Sequence, residues 1–227
     1  MTTTYTFNLR NLQQDPVTMW LFLAAPSFAV NPPDIYQNSN TFLQVPSYNP
    51  NNSQIFQANV QYFLQAAQQS APVQIGTQVI SQAHQEANLN NGYQVIYSSD
   101  KGGYPTIEQG STKRTPTDDN MVAETNKFLP VENYYNSLTF GVVTTTGITG
   151  VTWEPKPNLD YAITPTLTFY IAVGGYQSNI LAQIDATGVD NAVIKSGFTG
   201  NFDQFGNTWV TYNIDGTWTV DKKAWTN

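Results

Sequence analysis

Between Asp34 and Glu86 the chain carries no charge: Ile35 to Gln85 is fifty-one positions of apolar residues, amides, hydroxyls, Gly, Pro and the lone His84. Charge repulsion is the simplest way a soluble protein keeps neighbours at a distance. Leaving it out over so long a stretch frees amide and hydroxyl groups to pair with another copy, a glycan or a lipid surface. Charge is scarce throughout, at 11% of residues against a typical ~25%. Asn and Gln together number 42 against 25 charged residues, so amides replace ions as the polar surface groups.

Cysteine is absent, which excludes disulfides, a thiolate nucleophile and thiolate zinc sites. With one histidine, zinc catalysis lacks ligands. Nine Lys and Arg and a net charge of −7 give no basic patch for phosphates, so nucleic acid is not a partner. No apolar run approaches the ~18 residues of a membrane helix. Met1-Thr2-Thr3-Thr4-Tyr5 has neither the basic nor the apolar segment of a signal peptide. The expectation is a soluble protein made in the cytoplasm without a signal peptide, with later release to the extracellular space open to it. The single sequon, Asn51-Asn52-Ser53, carries little weight.

What is present is material for a β-rich core: 40% hydrophobic residues, thirteen Tyr and twelve Phe. Period-two alternation runs through Thr4–Leu9, and Met19–Leu23 is continuously apolar, as a strand covered on both faces would be. Phe56–Ala66 alternates apart from Phe63, and a helix through Phe56, Val60, Phe63 and Ala67 is the competing reading. Val73–Ala83 reads as a second strand on the same plan, with Ile80 out of step. Asn90-Asn91-Gly92 is a hairpin signal leading into Tyr93–Tyr97. Asp100 to Glu132 holds ten charges with Gly102-Gly103, Pro105 and Pro116, which predicts a long exposed loop with a short helix near Asp118–Phe128. Further strands are expected at 138–145, 150–153, 166–173, 180–184, 192–194, 208–213 and 218–220. Asp215-Gly216 predicts a two-residue turn that sets Asn213 opposite Trp218 and gathers Trp209 and Trp218 on one face. Both chain ends are expected to be held, most simply by sheet strands. The fold class is all-β: one domain over 1–227, an antiparallel two-sheet β-sandwich of about ten strands, with a long loop insertion around 100–132.

Catalytic signals are weak. His84 has no Gly-x-Ser-x-Gly partner, and Ser81 points to the opposite strand face. Asp118-Asp119 and the Asp185/Asp190 pair lack the alternating oxygens of a calcium loop. Glu154 and Asp160 beside Trp153 could form a glycosidase pair, but such closeness is expected by chance. Asp185-Ala186-Thr187-Gly188 reads as a turn, and no Gly-x-Gly-x-x-Gly occurs. No enzyme, cofactor or metal is expected.

Three non-enzymatic readings remain. The first is self-assembly as a homo-oligomer or array, through Gln57, Asn59, Gln61, Gln74 and Gln78. The second is lectin- or toxin-like recognition of a glycan or cell surface, by loop aromatics Tyr104, Tyr134, Tyr135, Trp153 and Tyr176. The third is pore formation by a hairpin of the two charge-free alternating stretches, each about eleven residues.

Overall fold

The computed structural model describes residues 3–47, 54–100, 103–129, 134–197 and 199–225. No helix occurs among them. In chain order the strands are β1 Thr4–Asn11, β2 Val17–Leu23, β3 Ser27–Phe28, β4 Tyr36–Ser39, β5 Phe42–Val45 and β6 Gln54–Gln69. They continue with β7 Ala83–Ala87, β8 Gly92–Ile96, β9 Thr106–Gln109, β10 Met121–Thr125, β11 Tyr135–Thr144 and β12 Gly147–Trp153. The last are β13 Asp160–Thr164, β14 Thr168–Val173, β15 Asn191–Lys195, β16 Asn207–Tyr212 and β17 Trp218–Asp221.

These seventeen strands form three sheets, where the sequence suggested about ten in two. The largest runs β17-β16-β1-β6-β11-β12-β4, with β7 added on β6. A five-stranded sheet runs β3-β13-β10-β8-β9, and a four-stranded one β15-β14-β2-β5. Pairing is mostly antiparallel, but β1–β16 and β8–β10 are parallel, so the sheets are mixed. One core joins all three: Phe7, Phe56, Leu64 and Phe140 of the large sheet meet Met19, Leu21 and Phe169 of the four-stranded and Tyr93, Met121 and Tyr161 of the five-stranded sheet. A sandwich fits this arrangement. Thr4–Asn11 and Trp218–Asp221 both belong to the large sheet, as expected for the chain ends; Met1, Thr2, Thr226 and Asn227 lie outside the described residues.

β6 is a strand, not a helix, and Phe63 is out of step for a physical reason. Leu64 and Ala66 face the core, so Phe63 points to the outer face. There its ring lies over Gly141, where an added Cβ would sit 2.4 Å from Phe63 Cζ, and His84 stacks on it at 5.3 Å. A register shift between Val142 and Val143, opposite Tyr62 and Asn59, places a bulge at Val60-Gln61. That bulge lies where the neighbour of β6 changes from β1 to β7.

Four expectations are corrected. Val73–Ala83 is not a strand: it is a covering segment, bridged to the chain at Gln78–Ile180, and only Ala83–Ala87 pairs with β6. Burial follows its alternation only in part: Val73, Thr77 and Val79 are buried, but Ile75, in phase with them, is exposed along with Gln74, Gln78 and Ile80. Residues 180–184 are likewise not a strand but a segment bridged at Gln37–Ala182. The predicted charged loop contains β9 and β10, and Met121, Val122 and Ala123 are fully buried; charges between strands had masked them. The turn at Asn90 carries the chain between sheets rather than closing a hairpin, with Asn90 at φ 62°.

The C-terminal hairpin exists with a register one residue off. Tyr212 faces Trp218 and Thr211 faces Thr219. Asn213 N–H donates to Thr217 O at 2.8 Å and Gly216 N–H to Asn213 O at 3.0 Å. This is a three-residue loop in which only Gly216, at φ 81°, is left-handed. A one-residue slip reverses faces, so Trp218 packs on Tyr212, with ring centroids 4.7 Å apart, and Trp209 lies on the other face, half-buried. Gly216→Val should still cost about 1–3 kcal/mol, because a β-branched residue is strained at that φ. Chemical denaturation checks this; an unchanged midpoint would mean the turn is not formed this way.

Candidate interaction surface

The uncharged stretch does not fold into one patch, but it converges with other uncharged segments. Pro16–Pro33, Asn133–Trp153 and Tyr161–Ile184 also lack charge. Beyond β4, residues 180–182 and 76–79 continue the sheet by bridges: Ala182 N–H donates to Gln37 O at 2.8 Å and Leu181 N–H to Thr77 O at 2.9 Å. Val73, Val79 and Leu181 pack on Tyr36 and close over this edge. Thr139, Thr152 and Asn38 lie buried on the outer face of the large sheet, linked Thr139 Oγ1 to Thr152 Oγ1 at 2.7 Å and Asn38 Nδ2 to Thr152 Oγ1 at 3.2 Å. Internal pairing thus satisfies much of the amide and hydroxyl content.

Next to this lies an aromatic face. Alternation in β2 sends Met19, Leu21 and Leu23 to the core and Trp20 and Phe22 outward, with Tyr170 and Ala172 of β14 beside them. Trp20 stacks on Phe42 at 4.5 Å and donates its indole N–H to Gly174 O at 3.2 Å. Tyr176 meets Phe22 edge-on at 5.1 Å; burial, with the Asp190 carboxylate adding to it, pushes its phenol pKa up. Tyr176 also lines an apolar groove of about 470 Å³ with Ile75, Gly76, Ile180, Leu181 and Ala182. Ile75, Ile80 and Phe42 are 57%, 59% and 44% exposed, which leaves uncovered apolar surface beside a groove whose lining residues carry no charge; Asp185 and Asp190 are the nearby carboxylates, acting on Tyr170 and Tyr176.

A second depression, of about 730 Å³, is lined by Asn90, Asn91, Gln109, Ser111, Thr112 and Thr115. Its walls are close because Gly92 carries no side chain: a Cβ there would lie 2.6 Å from Gly110 O. It is polar, uncharged and without an aromatic floor.

Of the predicted aromatics, Trp153 cannot offer a stacking face: it is fully buried against Phe28 at 5.1 Å and Tyr161 at 5.5 Å, because its position on β12 faces the core. Tyr104 is 76% exposed. Tyr134 and Tyr135 are half-buried, with Tyr135 opposite Gln69 at the far end of β11. Only Tyr176 lies in the uncharged groove. Among the amides, Asn59 accepts from Thr4 Oγ1 at 2.8 Å, and Gln61 donates to the Tyr62 and Ala87 carbonyls at 3.1 and 3.3 Å. Gln74 and Gln78 are exposed on the covering segment. β11, β12 and β4 separate them from Gln57 and Asn59 on β6, so the five do not form a single contact. Glu154 and Asp160 flank a turn, and desolvation pushes Glu154 up.

Sequence reasoning missed Trp20, Phe42 and the strand Phe42–Val45. The apolar Phe42-Leu43 pair inside the charge-free stretch was the available signal. No family model, curated protein or solved structure matches the chain.

Proposed function

We propose that this is a non-enzymatic interaction protein that associates with copies of itself through its uncharged side. The observation that carries this reading is the convergence of β4, β5, the 70–82 segment and residues 174–184, none bearing a charge, around exposed Ile75, Ile80 and Phe42. Two identical copies bring identical charges to any two-fold contact, and at a net charge of −7 their charged faces repel. A neutral face can meet itself. Exposed apolar side chains supply the gain on association, at roughly 25 cal/mol per Å² buried.

Lysine at both Gln74 and Gln78 tests this by setting like charges on that side. Light scattering on the eluting peak should show the parent associating with concentration and the double variant shifted toward single chains. A parent that stays a single chain at high concentration contradicts the reading.

The amide-lined depression at Asn90, Gln109 and Thr112 supports a second reading, recognition of a neutral glycan, since amides and hydroxyls bond sugar hydroxyls without net charge. Binding on a glycan array would then be insensitive to salt, and blank arrays with folded protein remove it. The pore reading needs Val73–Ala83 as a second charge-free strand beside Phe56–Ala66; in this fold Val73–Ala83 is a covering segment bridged at Gln78–Ile180.

A further inference from the structure

Every outer strand of a sheet offers unpaired N–H and C=O groups to another chain, and proteins usually guard such edges with charge, proline or a cover. The guards can be read strand by strand. β7 carries Glu86, β9 Glu108, β15 Lys195 and β17 Asp221. β4 is covered by the bridge from Gln37 to Ala182. β3 is two residues long and follows Pro26. β5, Phe42-Leu43-Gln44-Val45, ends the four-stranded sheet without a charge or a bridged cover among the described residues; its one guard is Pro46, which lies past Val45 and leaves the Phe42–Gln44 edge open.

The ladder fixes which backbone groups of β5 face outward. Leu21 N–H donates to Thr41 O at 3.0 Å, and the register continues as Trp20 opposite Phe42, Met19 opposite Leu43, Thr18 opposite Gln44 and Val17 opposite Val45. Hydrogen-bonded and non-bonded pairs alternate in an antiparallel ladder. Leu43 and Val45 therefore turn their N–H and C=O groups toward β2, as Thr41 does its C=O, while the Thr41 N–H donates to Ser39 Oγ at 2.9 Å. Phe42 and Gln44 turn theirs away from it, and no backbone partner takes them among the described residues. Both residues are exposed.

We infer that β5 is the site where two copies join, edge to edge and antiparallel about a two-fold axis at Leu43. This deepens the self-association reading and rests on it. In that pairing Phe42 of one copy faces Gln44 of the other, and each such pair exchanges two backbone hydrogen bonds, four in all by the antiparallel pattern. The half-exposed Phe42 ring, already stacked on Trp20, is covered by the partner's Gln44 side chain. The two four-stranded sheets become one continuous sheet of eight.

Two substitutions at one position test it. Gln44→Pro removes only the outward N–H, so it blocks pairing without taking a bond from the β2 ladder; Gln44→Lys sets one lysine from each copy on the same face, diagonally across the Leu43 axis. Both should keep the parent's circular dichroism and sediment as single chains where the parent sediments as a dimer. If both variants are folded and still dimerise like the parent while the Gln74/Gln78 lysine variant disperses, copies join through the uncharged side but not through β5, and this inference is wrong. A parent that is a single chain at every concentration overturns both.

Discussion

Trp153→Ala should destabilise the protein by about 3–5 kcal/mol, the range for removing a large buried aromatic. Trp153 is fully buried where β12 faces the core, and its ring holds Phe28 and Tyr161 edge-on. Trp209→Ala makes the contrast: Trp209 is half-buried on the face away from Trp218, so its loss should cost only about 1 kcal/mol. Urea midpoints of the two variants read the difference directly. Equal losses would mean that the faces of β12 or β16 are assigned wrongly.

Phe63→Ala is the second large effect, again about 3–5 kcal/mol. The ring fills the space left by Gly141 on the outer face, beneath His84, and no neighbouring strand can close that gap, because the backbone is fixed by the β6–β11 ladder from Tyr135 to Thr144. Thermal or urea unfolding of the variant would read this loss. A near-neutral result would show that the outer face around Gly141 and His84 is loosely packed.

These two residues also show what could be read in the sequence. β1, β2, β11, β12 and β16 were legible because one face of each is apolar at period two or both are covered. Phe63 broke the alternation of its strand because its site is made by Gly141, far along the chain, and by a histidine on a different strand, and neither is visible locally. β9, β10 and β13 went unread because Glu108, Glu124 and Asp160 lie on short strands among turn residues. Glu124 is held by Lys113, at 2.8 Å, whose hydrogen bond draws the carboxyl pKa down. The hairpin slip came from reading Asp215-Gly216 as both central residues, when the loop includes Ile214 and only Gly216 takes positive φ. On the candidate surface, missing charge was visible from the start. The aromatic face was not, because Trp20, Phe42 and Tyr176 come from three distant segments that only the β2–β5 and β2–β14 pairings bring together.

A neutral surface lets like-charged copies meet. Sedimentation of the unmodified protein, from dilute to concentrated and at low and high salt, tests it most directly. A contact between uncharged groups is not screened, so the mass should rise from one chain to two with concentration and the dimer should hold or strengthen as salt is added. A single-chain mass at every concentration, or a dimer that dissolves on adding salt, would mean that neutral surface does not join the copies.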